Sequence, residues 1–364
     1  MIAALGGRFA GDRAVQEAIL ASISVLAKHR APDGAIPNNV DPVTMRPNFR
    51  AYADGGLWWI ISSSLLAPDP AAIHSLLHWY ECQDVDQSGL LSMQESSDWQ
   101  DLFCTRGKGL YLNCLYVLAL QASARLFEET DPGRAARCLA QSKRTASAVN
   151  TWFWYTGDGD LLRHIAHTFS TENREDRDSL GRKRWIPAKR YLVKEHYYLP
   201  YLGFRAAGEW FDTLGNLLAI LAGIADSPQT TLILDFISRQ GLDEFPMRSL
   251  TPVLQPGDPD WRDYYGMLNT PHHYHNGGIW PFIGGFYVAA LVAAGRQSDA
   301  ATALHRLAQL NLRGEFNEWH HGQTGEPMGV RDQAWSAGMF LFARHCVHRA
   351  EVALLPGEPL PHRS

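Results

Sequence analysis

The sequence predicts an all-α fold. Apolar residues recur at three-and-four spacing in stretch after stretch, strand-like alternation is scarce, and nothing alternates strand with helix as a parallel sheet requires. In chain order the periodicity gives helices over Ala14–Lys28, Gly56–Leu66, Ala71–Glu81, Leu110–Phe127 and Asp131–Asn150. It continues over Gly215–Ile224, Gln229–Ser238, Gly278–Ala294, Ser298–Leu310 and Gln333–His345.

The connections between these helices are of two kinds. Ala67-Pro68-Asp69-Pro70 is a short turn, whereas residues 30–55, 83–109, 152–210, 240–277 and 311–332 are long and dense in Trp, Tyr, His, Asp and Gly. Long loops recurring once per helical hairpin are expected when the hairpins close into a ring and present one set of loops at a single rim. The expected architecture is therefore an (α/α)6 barrel. An open solenoid would show a repeat of 30–45 residues, and none is visible. No Pro/Ser/Gly-rich linker interrupts the chain, so residues 1–364 are expected to form one domain, with the charged stretch Glu172–Arg190 as an exposed insertion.

At 364 residues and 46% hydrophobic content the chain can bury a large core. A net charge of -5 and a pI near 6.3 give no basic footprint for nucleic acid and no polybasic stretch for anionic lipid. Neutral substrates fit this balance best. The five cysteines, Cys82, Cys104, Cys114, Cys138 and Cys346, show no metal-binding spacing and read as reduced, mostly buried thiols of a cytoplasmic protein. Met1–Arg13 lacks the apolar core of a signal peptide, and no later run approaches ~20 uninterrupted apolar residues. Neither export nor membrane insertion is expected.

Two distant segments carry chemistry. Glu95-Ser96-Ser97-Asp98-Trp99-Gln100-Asp101 and Phe316-Asn317-Glu318-Trp319-His320-His321-Gly322 each set a carboxylate among aromatic and small polar residues. Two such loops supply the acid and base that flank a glycosidic bond during hydrolysis. Sugars offer apolar C–H faces to indoles, which makes Trp58, Trp99, Trp280, Trp319 and Trp335 candidate pocket walls, with about half expected simply to pack. In His275-Asn276-Gly277-Gly278 the glycines allow close backbone approach, and a helix start there offers free amides. The histidines at 272, 273, 275, 320 and 321 lack an HExxH helix, so no metal is expected, and the glycines lack phosphate-loop spacing, so no cofactor is expected either.

These residues resemble a known family. Asp54-Gly55-Gly56-Leu57-Trp58-Trp59-Ile60-Ile61, Phe211-Asp212-Thr213-Leu214-Gly215-Asn216, His275-Asn276-Gly277-Gly278-Ile279-Trp280-Pro281, and Glu318-Trp319 through Gln333-Ala334-Trp335-Ser336 are similar to the signature blocks of the alkaline/neutral invertases, in the same order. Related blocks occur in the amylo-α-1,6-glucosidase part of glycogen debranching enzymes. The resemblance implies an (α/α)6 barrel and an inverting mechanism. It makes Asp101, in Trp99-Gln100-Asp101, the general acid, with Asp98 as rival, and Glu318 the base that activates water. It gives Asp54 contact with the hydroxyls of the nonreducing sugar, although Asp54 also stands where a helix N-cap would.

Physically, the acid must hold a proton near neutral pH, and burial beside Trp99 and Phe103 would raise the pKa of Asp101. His320, His321 and their polar neighbours would keep Glu318 ionised. The remaining candidate sugar contacts are Asp98, Asp212, Asn276 and Gln333. The family's paired-arginine and Glu/Gln segment after the acid is replaced here by Arg106, Tyr111 and Asn113, and its arginine before Trp210 by Glu209, which places sucrose specificity in doubt.

The expected function is an inverting, exo-acting hydrolase of sucrose or another small α-glucoside. The alternatives are an amylo-α-1,6-glucosidase, a sugar epimerase or isomerase using histidines such as His275 and His320, and a catalytically dead sugar-binding protein. The expected partner is a small saccharide or glycoside, with no nucleic acid and no membrane, and self-association left open.

Overall fold

The computed structural model describes residues 1–50, 52–155, 173–177, 180–187, 195–203 and 206–357. Its helices are α1 (Ile2–Gly7), α2 (Arg13–Lys28), α3 (Gly55–Leu66), α4 (Pro70–Glu81), α5 (Leu110–Phe127) and α6 (Pro132–Phe153). They continue as α7 (Thr213–Leu221), α8 (Ser227–Arg239), α9 (Pro281–Ala293), α10 (Gln297–Arg313) and α11 (Ala334–Arg349). The odd-numbered helices form a closed ring. α1 packs on α3, α3 on α5, α5 on α7, α7 on α9, α9 on α11, and α11 returns to α1. The even-numbered helices lie outside, α6 on α5 and α10 on α9 most extensively. This is the expected (α/α)6 barrel.

Sequence chemistry separates the two rings. The inner helices α3 and α9 are buried on nearly every face, which their almost continuous apolar sequences GGLWWIISSSLL and PFIGGFYVAALVA require. α5 is long and apolar enough to cross a bilayer, yet 83% of it is buried inside the barrel as a core helix. Outer helices are amphipathic, and all but α10, which follows Arg296 without a side-chain cap, begin with aspartate caps. Asp12, Asp69, Asp131 and Asp226 accept first-turn amides of α2, α4, α6 and α8, and proline follows in the first turn of the last three. The first turns of α3, α5, α7, α9 and α11 have no side-chain cap.

The helix closing the ring, α1, was not predicted. Its six residues are too short to show a period, but Gly6 and Gly338 let α1 and α11 approach backbone to backbone, so that a Cβ on either would collide with the other helix. α9 begins at Pro281 and not at Gly278, and Gln333 is the N-cap of α11. Of the expected insertion at 172–190, the described residues form an antiparallel hairpin, β5 (Asn173–Arg177) with β6 (Lys183–Pro187), and Leu180 between them is exposed. The rest of that stretch lies outside the described residues. Four of the cysteines are buried and Cys82 is exposed.

The long loops all run from an outer helix to the next inner one, so they gather where the inner helices begin. Short strand pairs brace them, including β1 (Asn39–Val40) with β2 (Pro47–Asn48) and β12 (Trp319–His320) with β13 (Pro327–Met328). A second small core of Phe103, Tyr201, Trp210, Leu250, Leu254 and Tyr265 lies among them, separate from the main core between the helices.

Candidate active site

Contacts among the inner helix N-termini define one mouth. At the start of α5, the Tyr111 hydroxyl donates to Asp54 Oδ2 at 2.8 Å, at the start of α3, and accepts from Trp58 Nε1 at 2.7 Å. Asp54 is the N-cap residue of α3, but its side chain makes no capping bond, which leaves the carboxyl to the mouth. Asp98, in the loop before α5, feels the charges of both Asp54 and Asp212, the residue preceding α7. Trp99 meets Trp280 edge to face at 5.4 Å, and Trp280 meets Trp335 the same way at 5.7 Å, which brings in α9 and α11.

Three carboxyls are deeply buried here. Burial raises Asp54 to about 6, against the hydrogen bond from Tyr111, and raises Asp212 to about 7, against the backbone amides of α7. Asp98 rises well above its ordinary value, first by burial and then by the charge of Asp54. Asp98 Oδ1 accepts from the Gln100 amide at 2.8 Å and from Thr105 Oγ1 at 3.4 Å, so it shapes its own turn and caps no helix. Asp212 Oδ1 is buried and has no hydrogen-bond partner among the described residues.

Asp101 and Glu318 are the accessible carboxylates. The Asp101 side chain is 34% exposed; its Oδ2 accepts from the Tyr52 hydroxyl at 2.9 Å, and its Oδ1 lies 3.3 Å from His275 Nε2. Partial burial pushes Asp101 up, but the His275 and Tyr52 hydrogen bonds and the charge of Arg50 outweigh it and hold the group below the usual carboxylate range. Among the described residues Glu318 Oε2 accepts only a 3.3 Å bond from the Val330 amide, and burial together with the charge of Asp101 raises it. Both shifts run opposite to those expected from the sequence. The reasons are geometric. Trp99 turns its ring onto His275, Trp280 and Phe282, and Phe103 stacks on Tyr265, so hydrogen-bond donors rather than those rings surround Asp101. His320 and His321 are spent inside the β12–β13 hairpin, His320 facing the Gly325 carbonyl and His321 accepting the Gln323 and Thr324 amides.

An aromatic wall stands beside these acids. His275 is stacked on Trp280 at 5.1 Å and 6°, Trp335 on Phe282 at 4.8 Å and 11°, and Trp319 abuts Tyr274 edge to face. Trp58, Trp99, Trp280 and Trp319 are buried, while Trp335 is partly exposed. The indole Nε1 atoms of Trp99 and Trp335 are buried without a partner among the described residues. Buried donors normally find acceptors, so such groups beside a polar pocket are suited to ligand hydroxyls.

Several expected contacts are corrected. Asn113 bonds the Leu91 amide and carbonyl and the Gly109 carbonyl, which saturates its carboxamide and pins the 82–109 loop. Asn216 does the same to Tyr198 and Asp212. Asn276 is likewise consumed by Leu254 and the Asn269 carbonyl. Asn113 and Asn276 are therefore staples for loops and have no carboxamide donor to spare for a sugar. Arg106 belongs to a lateral network, bonded to Glu95 and the Cys104 carbonyl, 3.6 Å from Asp260, and set over the Tyr201 ring. The amides of residues 277–280 are already bonded to Ser249, Tyr274, His320 and Met247. Gly278 is needed because a Cβ there would overlap the Tyr274 carbonyl, so the close approach is to the protein's own backbone. Tyr111 serves Asp54 and Trp58, so neither it nor Asn113 stands as an independent leaving-group contact.

Residues that the sequence reading passed over include Tyr52, Tyr274, Arg50 and Gln100. Tyr274 feels the charges of both Asp101 and Glu318, and the fully buried Gln100 has no partner for its carboxamide among the described residues. Tyr52 and Arg50 sit two and four residues before Asp54, and proximity to that block was the available signal. Among the described residues, no group of three or more His, Cys, Asp or Glu is arranged to hold a metal.

Comparisons with known proteins agree with this geometry. The chain is 25% identical over 328 residues to cytosolic invertase 1 of Oryza sativa, covering 81% of this chain and 57% of that protein. It is 25% identical to the probable alkaline/neutral invertase F of Arabidopsis thaliana, covering 81% and 64%. The chain thus spans roughly three fifths of the length of these relatives. Among solved structures it superposes on the GH63 mannosylglycerate hydrolase of Thermus thermophilus in complex with glucose, with a TM-score of 0.62, 13% identity, and coverage of 93% and 90%. It superposes on a bacterial glucoamylase complexed with acarbose with a TM-score of 0.62, 14% identity, and coverage of 97% and 49%. These two likenesses establish the barrel. A sequence model described as alkaline and neutral invertase matches residues 100–350, more than half of the chain and most of the mouth, and the chain therefore belongs to the alkaline and neutral invertase family.

Proposed function

We propose that this protein is an inverting, exo-acting glycoside hydrolase of small α-glucosides, with Asp101 as acid and Glu318 as base. The observation that carries the reading is that these two accessible carboxylates, from loops of different hairpins, both act on the same Tyr274. Asp101 protonates the leaving oxygen while Glu318 draws a proton from water attacking the opposite face of C1. Asp98, the rival acid, is 2% exposed and engaged by its own turn, which favours Asp101. In this reading Asp54, Asp212 and Asp98 bind hydroxyls of the glucosyl unit, and Trp280 with its neighbours forms the apolar side. A single displacement calls for carboxyls roughly 6.5–9.5 Å apart, with water between.

The epimerase reading loses support because His320 is tied into its hairpin and lowered by burial to about 4. The family and the reduced, mostly buried thiols favour action on a small saccharide in the cytoplasm. Proton NMR of a fresh reaction tests the mechanism. β-Glucose released first from an α-glucoside is expected, and initial α-glucose would overturn it. Glucose release across sucrose, trehalose, maltose and isomaltose tests the substrate class.

A further inference from the structure

We propose that the leaving group of the substrate is anionic and that Arg50 binds its carboxylate. The inference rests on the hydrolase reading with Asp101 as the acid. Arg50 lies in the connection from β2 to α3, exposed, with its guanidinium 6.0 Å from the centre of the Tyr52 ring. Arg50 Nη1 donates to the Tyr52 hydroxyl at 3.3 Å, and that hydroxyl donates to Asp101 Oδ2 at 2.9 Å. The cation is thus two hydrogen bonds from the acid, on the exposed side of Asp101.

Among the described residues, Arg50 forms no ion pair with a carboxylate. Three guanidiniums on other rim loops are engaged, Arg106 and Arg262 by Glu95 and Arg331 by Glu315. Among the described residues, every other charged side chain assigned to the mouth is a carboxylate, so Arg50 is the one cationic side chain there to pair with an anion.

Position selects the part of the substrate concerned. A leaving oxygen within hydrogen-bond reach of Asp101, about 2.6–3.2 Å, carries its nearest substituents toward Tyr52 and Arg50. A carboxylate one carbon removed from that oxygen meets a guanidinium fork built for planar, two-oxygen anions. The charge state of the acid favours the same class. In the free protein burial pushes Asp101 up, but His275, then Tyr52 and last the charge of Arg50 hold it low, the wrong direction for a proton donor. An anion on Arg50 cancels that positive charge and adds a negative one nearby, and both effects push Asp101 up, toward its protonated form. A neutral leaving group does neither. In the reaction the C1–O bond breaks as water attacks C1. Glu318 takes the water's proton, the leaving oxygen takes that of Asp101, and glucose and a free hydroxy acid depart.

The test is a matched pair, α-glucosylglycerate and α-glucosylglycerol, which differ by a carboxylate in place of a hydroxymethyl group. The wild-type protein should show a kcat/KM at least ~10-fold higher for the glycerate, and Arg50→Gln should reduce that ratio by ~10-fold or more, with Arg50→Lys intermediate, as for a charge-assisted pair. Free glycerate should inhibit wild-type hydrolysis of α-glucosylglycerol competitively, and glycerol at equal concentration should not, a measurement that needs no variant. Equal or better turnover of the glycerol compound, no selective inhibition by glycerate, or a ratio unmoved by Arg50→Gln would each overturn the anionic leaving group alone. Turnover of neither compound, nor of any neutral α-glucoside, would overturn the hydrolase reading and this inference with it.

Discussion

His275 Nε2 lies 3.3 Å from Asp101 Oδ1 while the imidazole is stacked flat on Trp280. Burial lowers the histidine's pKa, so the ring is neutral and its Nε2–H donates to the carboxylate; the other nitrogen, Nδ1, has no partner among the described residues. A group held between an indole and a carboxylate fixes where the carboxylate points. Replacing His275 with Phe keeps the stacking and removes the donor. Asp101 should then rise toward the ordinary carboxylate range, so the alkaline limb of the kcat/KM profile moves to higher pH, while kcat falls ~10-fold or more from lost orientation. A pH profile with an unmoved alkaline limb would separate His275 from Asp101.

Asp101→Asn and Glu318→Gln should each lower kcat by at least ~10³ with thermal unfolding unchanged, as loss of an acid or a base does. Asp98→Asn should act differently. Removing a buried acid whose pKa is strongly raised alters stability along with turnover, so a variant at 98 that kills activity without moving the melting curve would transfer the acid role to it.

Asp212 and Asp54 make stability depend on pH. Their folded pKa values, about 7 and about 6, lie above the ordinary carboxylate value, so the folded state binds protons more tightly than the unfolded chain. That contribution is complete below the unfolded pKa and is lost as pH rises through 6 and 7. Denaturant unfolding at pH 5 and pH 8 should show the wild-type protein less stable at the higher pH. Asp212→Asn should flatten this difference, and a variant that retains the full slope would show that Asp212 is not its source.

The asparagine staples predict large effects from small changes. Asn113→Ala or Asn216→Ala leaves one amide and two carbonyls without their partner, at a cost of ~1–3 kcal/mol for each buried group left unsatisfied. Urea unfolding should give a stability loss of at least ~2 kcal/mol. A loss near zero would mean that water replaces the carboxamide without penalty.

Gly278→Ala should be far more damaging than Gly295→Ala. At 278 a Cβ overlaps backbone that cannot swing aside, whereas at 295 the space is open and only the positive φ of 72° opposes the change. Soluble yield and melting temperature compare the two directly. Equal behaviour would argue that the 274–278 turn is pliable.

The ring of helices was legible because each helix is long enough to show a period and each rim loop long enough to break it. α1 escaped because six residues carry no period. A relation between the first and last rim hairpins also escaped, because it spans the whole chain. Asp41, Thr44, Met45 and Pro47 correspond to His321, Thr324, Gly325 and Pro327. The Thr amide bonds the Asp or His side chain in both, and Met45 and Gly325 share positive φ. Asn38 then occupies in the first hairpin the place of Glu318 in the last. The carboxylates were legible as residue types in aromatic loops, but not their charge states, since that of Asp101 depends on His275 and Tyr52 and that of Glu318 on burial and on Asp101, contributions from other segments of the chain. The glycines and asparagines of the blocks read as ligand contacts because the same chemistry that suits a sugar also suits a loop.

The bare first turns of α3, α5, α7, α9 and α11 have an electrical consequence. Each helix carries about half a positive unit charge at its N-terminus, and here those ends converge without a side-chain cap, the buried Asp212 carboxyl alone facing the first amides of its helix. This positive pole is made of peptide dipoles, so it has no pKa and persists at every pH. It is the counterweight that lets a cluster of acids share one mouth. Conversion of the buried acids to amides would remove the charge that opposes this pole, and phosphate or chloride would then bind at the mouth more readily.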